Sequence, residues 1–393
     1  MSNYDVIVVG RGLIGSAAAR HLATRGVSVA LIGPGEPADH RTHTGVFASH
    51  YDSGRIVRIL DPNPYYAQIA KASIGRFRAL EEQTGTNFYH EVGYLVASNN
   101  QAYLNQMEAC AKLHYPQVEH ISQPNLVDRF PYFNFPKDIR ALYQPTHGGH
   151  LNPRQHIAAQ NKALEMMGGV VIEDTVVEIR PTESRIEAST SGGGGWVSGG
   201  RILLATGIYA NVGGIIPRKI SFEVEPHTTV LAEIPAEQLR SLTDMPSLSY
   251  RLGNNSQRYI YFMPPIQYLD GKYYLKIGHS KGDRIPNDEA SLRAWFQSDG
   301  DPKRVKWLTE TLRSLLPSIK FASLHSRSCA LTISPTGKQF IDQFGDEPIY
   351  ALLADHGQCA KSADELGFLA TEYLTTGQLP APYNLADYNI QYA

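Results

Sequence analysis

The segment YDVIVVGRGLIGSAAARHLATRGVSVALIG, residues 4–33, constrains the fold more than any other part of the chain. Asp5 to Val9 suits a buried strand, and AAARHLA predicts the body of a helix that begins near Leu13. The run VSVALIG closes the unit as a second strand. Between first strand and helix, Gly10, Gly12 and Gly15 satisfy the spacing G-x-G-x-x-G. The first glycine permits a tight turn, the second lets backbone approach a pyrophosphate, and the third lets helix pack on strand. The helix start, at Leu13 and Ile14, then offers unpaired N–H groups to a diphosphate. One position departs from the pattern. The second strand should end in an acid that bonds the adenosine ribose, but Gly33 stands there, followed by Pro34. Glu36 is the nearest acid; either it reaches back, or backbone groups and water bind the ribose.

Only one such fingerprint occurs, so a separate nicotinamide site is not expected. FAD and NAD both remain open on this segment alone. GGRILLATGIYAN, residues 199–211, is a strand ending in Ala205, Thr206 and Gly207. Flavoproteins often return to the nucleotide domain through such a strand, although an ordinary buried strand with a glycine turn reads the same way.

Size and charge narrow the class. A chain of 393 residues, 42% apolar and 19% charged, exceeds what one hydrophobic core usually organises, so two domains are expected. Lys plus Arg at 36 nearly balances Asp plus Glu at 38, which points away from nucleic acid and anionic membranes and toward small-molecule partners. Three cysteines form neither a disulfide framework nor a zinc pattern, which suits a reducing, cytoplasmic setting. No run of about 18 apolar residues is present to span a bilayer.

Along the chain, residues 65–84 predict a helix with a break near Gly75, EVGYLVAS a strand, and QAYLNQMEACAKLHY a helix holding Cys110 in its core. GHLNPRQHIAAQNKALEMMGG predicts a turn and helix, followed by the strands VVIEDTVVEI and RIEAST and a flexible tip, SGGGGWVSGG. Residues 218–280 turn β-rich, with FEVEPHTTVLAEI, RYIYFMPP and YYLKIGHS as strands and Asp270-Gly271 as a hairpin signal. Helices follow in SLRAWFQS, DPKRVKWLTETLRSLLP and GFLATEYLTTG. The expected architecture is α/β with an α+β substrate domain. A Rossmann-like nucleotide-binding domain (1–85, 148–217 and 325–393) is interleaved with a β-rich, antiparallel-sheet domain (86–147 and 218–324), and ligands bind where the two meet.

Four segments together are more specific than the glycine motif: the fingerprint; SHYDSGRIVR at 49–58; YLKIGHS at 274–280; and CALTISPTGKQFID from 329 with ADHGQCAKS at 354–362. They resemble the monomeric sarcosine oxidase and N-methyltryptophan oxidase family, flavin amine oxidases of the D-amino-acid-oxidase-like superfamily. The resemblance spans nearly the whole chain in order. It implies FAD, joined through the sulfur of Cys329 to the 8α carbon of the flavin ring, with Cys329 at the head of its strand. It places Arg55 over the flavin and Arg58 on a substrate carboxylate, for which a planar bidentate donor is suited. His50 matches a family histidine, and Tyr51 stands where a second histidine is usual; both are expected near the flavin. Lys276 matches the lysine that promotes reaction with oxygen, and Tyr261 an active-site tyrosine. Periodicity alone does not settle which face of the strand Lys276 occupies.

His356 and Gly357 match a turn ahead of a helix whose N-terminus faces the flavin, and Gln358 and Lys361 are grouped with that turn as cofactor contacts. Two departures concern the substrate. Cys359 replaces a family lysine that also binds carboxylate, with Lys361 two positions beyond and not required to point inward. Ser280 replaces a histidine, and His279 lies one position earlier. The implied activity is oxidation of a secondary amine or amino acid to an imine, with oxygen as acceptor and hydrogen peroxide released, by a monomer or weak homo-oligomer. A flavin dehydrogenase with another acceptor and a flavin-binding protein without turnover are the alternatives.

Overall fold

The computed structural model describes residues 3–253, 259–282 and 284–393. The fingerprint forms as its pattern dictates, with a strand at Asn3–Val9, a helix at Leu13–Thr24 and a second strand at Val29–Gly33. Both strands read as continuous apolar runs because both faces of their sheet are covered. That sheet has five parallel strands in the order Ile349–Leu353, Trp196–Leu204, Asn3–Val9, Val29–Gly33 and Val170–Glu173. An antiparallel hairpin, Val176–Pro181 with Ile186–Thr190, extends it on one side, and Phe340–Gln343 pairs with Ile349–Leu353. The helices Leu13–Thr24, Pro64–Thr84, Pro153–Met166 and Cys359–Thr376 pack together.

The second sheet has eight strands, in the order Leu324–Ile333, Glu223–Glu233, Tyr273–His279, Tyr259–Gln267, Ser247–Arg251, Tyr94–Ser98, Arg140–Gln144 and Glu119–Ile121. All its neighbours are antiparallel except Ser247–Arg251 with Tyr94–Ser98. One face packs on the helix Pro302–Leu315 through Leu308, Leu312 and Leu315. Between the large sheets lies a small one of Arg55–Val57, Gly149–Leu151 and Tyr89–His90. The mixed α/β architecture matches the expected fold class.

Four expectations change. The helix Pro64–Thr84 runs unbroken through Gly75, which faces solvent, and a Cβ there would meet no atom within 4 Å. Burial of Ile69, Ile74 and Phe77 on its other side outweighs a glycine cost of about 1 kcal/mol. VVIEDTVVEI is two strands, because Asp174 turns the chain and accepts from Ser191 Oγ at 2.8 Å and Gly192 N at 3.0 Å. Cys329 lies inside its strand, not at the head, since pairing with Glu223–Glu233 begins at Leu324. The same pairing puts all of Leu324–Ile333 in the antiparallel sheet, although the boundary at 325 assigns all of it but Leu324 to the nucleotide-binding pieces. Arg258, at the head of RYIYFMPP, lies outside the described residues.

The helices Leu13–Thr24 and Cys359–Thr376 touch at Gly367, where a Cβ would come within 2.6 Å of Ala18 N. Gly367→Ala should therefore lower stability by about 1–3 kcal/mol through overpacking. Gly75→Ala should raise it by roughly 0.5–1 kcal/mol. Urea unfolding of both variants against the parent checks the pair of signs.

Candidate active site

A cavity of about 690 Å³ begins at the fingerprint and runs between the two large sheets. Gly10 has φ of 113°, and a Cβ there would meet Ala205 O at 2.3 Å, so the turn can sit against the end of its neighbouring strand only as glycine. Gly12 is the N-cap of the Leu13–Thr24 helix and supplies no side-chain cap, which leaves first-turn amides beside the cavity wall formed by Leu13 and Ile14. Gly15 packs inside that helix. Ala205, Thr206 and Gly207 line the same wall, and the buried Thr206 hydroxyl has no hydrogen-bond partner among the described residues. Uncapped amides, a glycine approach and an orphaned hydroxyl fit the diphosphate of FAD.

The missing ribose acid has a steric cause. A Cβ on Gly33 would lie 2.5 Å from Arg11 N, so no acid can occupy that position without moving the fingerprint. Glu36 does not reach back either, because Arg154 holds it with two hydrogen bonds of 2.6 Å. Tyr51 lies at this end as well. Its hydroxyl donates to Gly35 O at 3.0 Å, and its ring stands edge-on to His50 at 4.5 Å. Burial and the cations of Arg55, Arg154 and Arg11 push the His50 pKa down to about 3, so His50 is neutral.

Across the cavity, His356 and Gly357 take positive φ values of 51° and 66° and lead into the Cys359–Thr376 helix, whose N-cap Gln358 makes no side-chain cap. Asp355 fixes this turn to the Cys329 strand by accepting from Thr332 N and Oγ1, each at 3.0 Å. His356 Nε2 lies 2.9 Å from Ser334 Oγ. A second uncapped helix start thus faces the cavity. Cys329 is held from both sides. Trp295 Nε1 donates to its carbonyl at 2.7 Å, Ser49 Oγ bonds both N and O of Ala330, and Arg55 Nη2 lies 3.7 Å from Sγ.

The chemistry concentrates in two groups built alike. Asp52 accepts from Arg55, from Lys276 Nζ and from the Tyr268 hydroxyl. Lys276 is buried on the face turned toward residues 52–54, and its ammonium also donates to Gly54 O at 3.1 Å. It stands one layer behind the cavity wall, which Arg55 forms. Burial, with Arg55 beside it, pushes the Lys276 pKa well below its ordinary value. In the second group, Asp61 Oδ2 accepts from Arg58 Nη1 at 2.5 Å and from Lys361 Nζ at 2.6 Å. Burial alone would raise the Asp61 pKa, but Lys361 and Arg58 bring it down to about 2. Arg58 also lies over the Tyr94 ring, 5.4 Å from its centroid.

Lys361 therefore does turn inward and brings a second cation beside Arg58, from two positions beyond Cys359. Cys359 is buried in the wall as a neutral thiol, its pKa pushed up by burial and Asp355. Tyr261 lines the cavity opposite Gly278. His279 does not replace the absent histidine at Ser280. Its Nδ1 faces Lys281 O at 3.0 Å and its Nε2 accepts from Thr228 N at 3.1 Å, so both nitrogens are engaged. Sequence reasoning missed Asp52 and Asp61. The signal was present in DSGRIVRILD, residues 52–61, whose spacing D-x-x-R-x-x-R-x-x-D mirrors an acid around each arginine.

The chain is similar to known proteins over nearly its whole length. Residues 5–372 match the family model DAO, FAD dependent oxidoreductase. The chain is 24% identical to monomeric sarcosine oxidase of Bacillus sp. (strain NS-129), covering 96% of this chain and 94% of that protein. It is 22% identical to N-methyl-L-tryptophan oxidase of Yersinia pestis (strain Pestoides F), covering 99% of each. The fold is similar to that of NikD, an unusual amino acid oxidase essential for nikkomycin biosynthesis, with a TM-score of 0.77 at 19% identity over 100% of this chain and 98% of that one. With a nucleotide cradle that fits FAD and a family match over nearly its whole length, the chain belongs to the DAO family of FAD-dependent oxidoreductases.

Proposed function

We propose that this enzyme oxidises a small amine bearing a carboxylate, an amino acid or N-alkyl amino acid, to an imine, with oxygen as acceptor and hydrogen peroxide as product. One observation carries the reading: a continuous cavity joins the fingerprint and Thr206 to Cys329 and then to Arg58 and Lys361. Relatives named for sarcosine and N-methyl-L-tryptophan support the substrate class. FAD, when bound, supplies the two-electron acceptor for the hydride equivalent leaving the carbon next to nitrogen.

The chain's own residues hold, orient and charge the site. Amides at Gly12 and Leu13, with the Thr206 hydroxyl, hold the diphosphate, and the helix start after Gln358 favours negative charge opposite it. Arg58 binds the substrate carboxylate; its Nη1 is engaged with Leu60 O and Asp61, and its Nε and Nη2 make no protein hydrogen bond among the described residues. Tyr261 closes the wall beside the substrate, and Arg55 with Lys276 supplies positive charge for the reaction with oxygen. Cys329 would hold FAD through its sulfur, as a thioether. Nearly balanced charge and three unpaired cysteines support a cytoplasmic monomer or weak homo-oligomer. A second reading, transfer to an acceptor other than oxygen, is favoured by Asp52, which offsets the charge of Lys276.

Three variants test these roles. Acid-precipitated parent protein should stay yellow and Cys329→Ser should release its flavin; a colourless parent pellet with free FAD in the supernatant removes the covalent link. Lys276→Met should slow reoxidation by oxygen about a hundredfold, equivalent to about 3 kcal/mol, with anaerobic reduction less affected. Unchanged reoxidation, together with faster turnover on a dye acceptor, selects the second reading. Arg58→Ala should raise KM for carboxylated amines ten- to a hundredfold, the range of a charge-assisted contact of roughly 1.5–3 kcal/mol. Bulkier or cyclic secondary amines should outperform sarcosine, and a best substrate without a carboxylate would overturn the anchor.

A further inference from the structure

Arg58 and Lys361 both line the cavity and converge on one oxygen of Asp61, at distances of 2.5 and 2.6 Å. All three groups are buried or nearly so, with side-chain exposures of 12%, 3% and 4% for Arg58, Lys361 and Asp61. The other Asp61 oxygen accepts from Asn63 N at 2.9 Å, so both carboxylate oxygens are engaged. Two cations and one anion leave one net positive charge. An ion buried without a counter-charge is costly, so the ligand that completes this group brings a single negative charge.

We propose that Asp61 is a specificity-determining residue, an internal carboxylate that restricts the site to substrates with one carboxylate and excludes dicarboxylates. The proposal rests on the reading of Arg58 as the carboxylate anchor. A monocarboxylate meets the free Nε and Nη2 of Arg58 and makes the group neutral. A second carboxylate would find its place between Arg58 and Lys361 already taken by Asp61. The charge of Lys361 is adjustable: burial and Arg58 push its pKa down to about 8, against the opposing pull of Asp61. Cys110 from the Gln101–His114 helix and the Tyr66 ring, 5.7 Å away, are its other titratable neighbours. Below pH 8 the group carries its positive charge. As pH rises through about 8, Lys361 loses its proton and the net charge falls to zero.

The test is calorimetric titration of the FAD-loaded enzyme with benzoate and phthalate, one aromatic frame with one or two carboxylates. At pH 7 the parent should bind benzoate at least tenfold more tightly than phthalate, and its benzoate affinity should fall as pH rises through about 8. Asp61→Asn opens the place between the cations and should cut the benzoate preference at least tenfold by gaining phthalate. Lys361→Gln should weaken benzoate about tenfold, abolish the pH step and leave phthalate poor. An unchanged preference in folded Asp61→Asn overturns the proposal, as does a parent that binds both ligands equally. Should Asp61→Asn fail to fold, the parent preference and Lys361→Gln decide. Loss of benzoate binding in Arg58→Ala beside an unaltered preference in Asp61→Asn defeats only the role of Asp61. Intact benzoate binding in Arg58→Ala defeats the anchor and this proposal with it.

Discussion

Two shared carboxylates hold the working part of this molecule together. Asp52 joins Arg55 to Lys276 of the large antiparallel sheet, and Asp61 joins Arg58 to Lys361 of the Cys359–Thr376 helix. The short strand Arg55–Val57 between them is thereby tied to both halves of the fold. Removing one partner of a buried pair typically costs about 3–5 kcal/mol, because the remaining charge is stranded away from water. Such groups locate a segment tightly even where their net contribution to stability is small. The cavity wall follows from this constraint, since Arg55 and Arg58 both reach it from a segment with little regular structure of its own.

The cofactor end obeys a different rule, close backbone approach. Gly10 lies against Ala205, Gly33 against Arg11, and Gly367 against Ala17 and Ala18. Packed at Gly367, the Leu13–Thr24 and Cys359–Thr376 helices both direct uncapped N-termini toward the cavity. Arg20, His21 and Arg76 meet Asp364 beneath that contact, which fixes the pair of helices away from the ligand. Backbone dipoles thus dominate one part of the cavity wall, and paired side-chain charges another. Lys361 brings a cation to the wall two positions beyond Cys359, and Asp61 pairs with it.

Much of this was legible in local pattern. The strand, glycine turn and helix of residues 4–33, the hairpin at Asp270-Gly271, the helices from Pro153 and Pro302, and the turn ahead of the last helix all depend on neighbours within a few residues. Four segments pointed to Cys329, Arg55, Arg58, Lys276 and His356, and all of these but Lys276 line one cavity. Local reading failed where distant packing outweighed it. Gly75 is tolerated because the opposite face of its helix is buried, and Glu36 is unavailable because Arg154 arrives from another part of the chain.

By itself, then, the sequence determined the nucleotide-binding unit, the fold class and the residue types at the flavin end, since glycine spacing and strand periodicity act through the local backbone. Tertiary structure alone decided which face Lys276 occupies, that Lys361 turns inward, and that Asp52 and Asp61 each stand between an arginine and a lysine. Asp61 and Lys361 are 300 positions apart, and Asp52 and Lys276 are 224. No local preference links residues at such separations. What pairs them is the cost of burying a charge alone, which is felt only once the sheets and helices have closed around it.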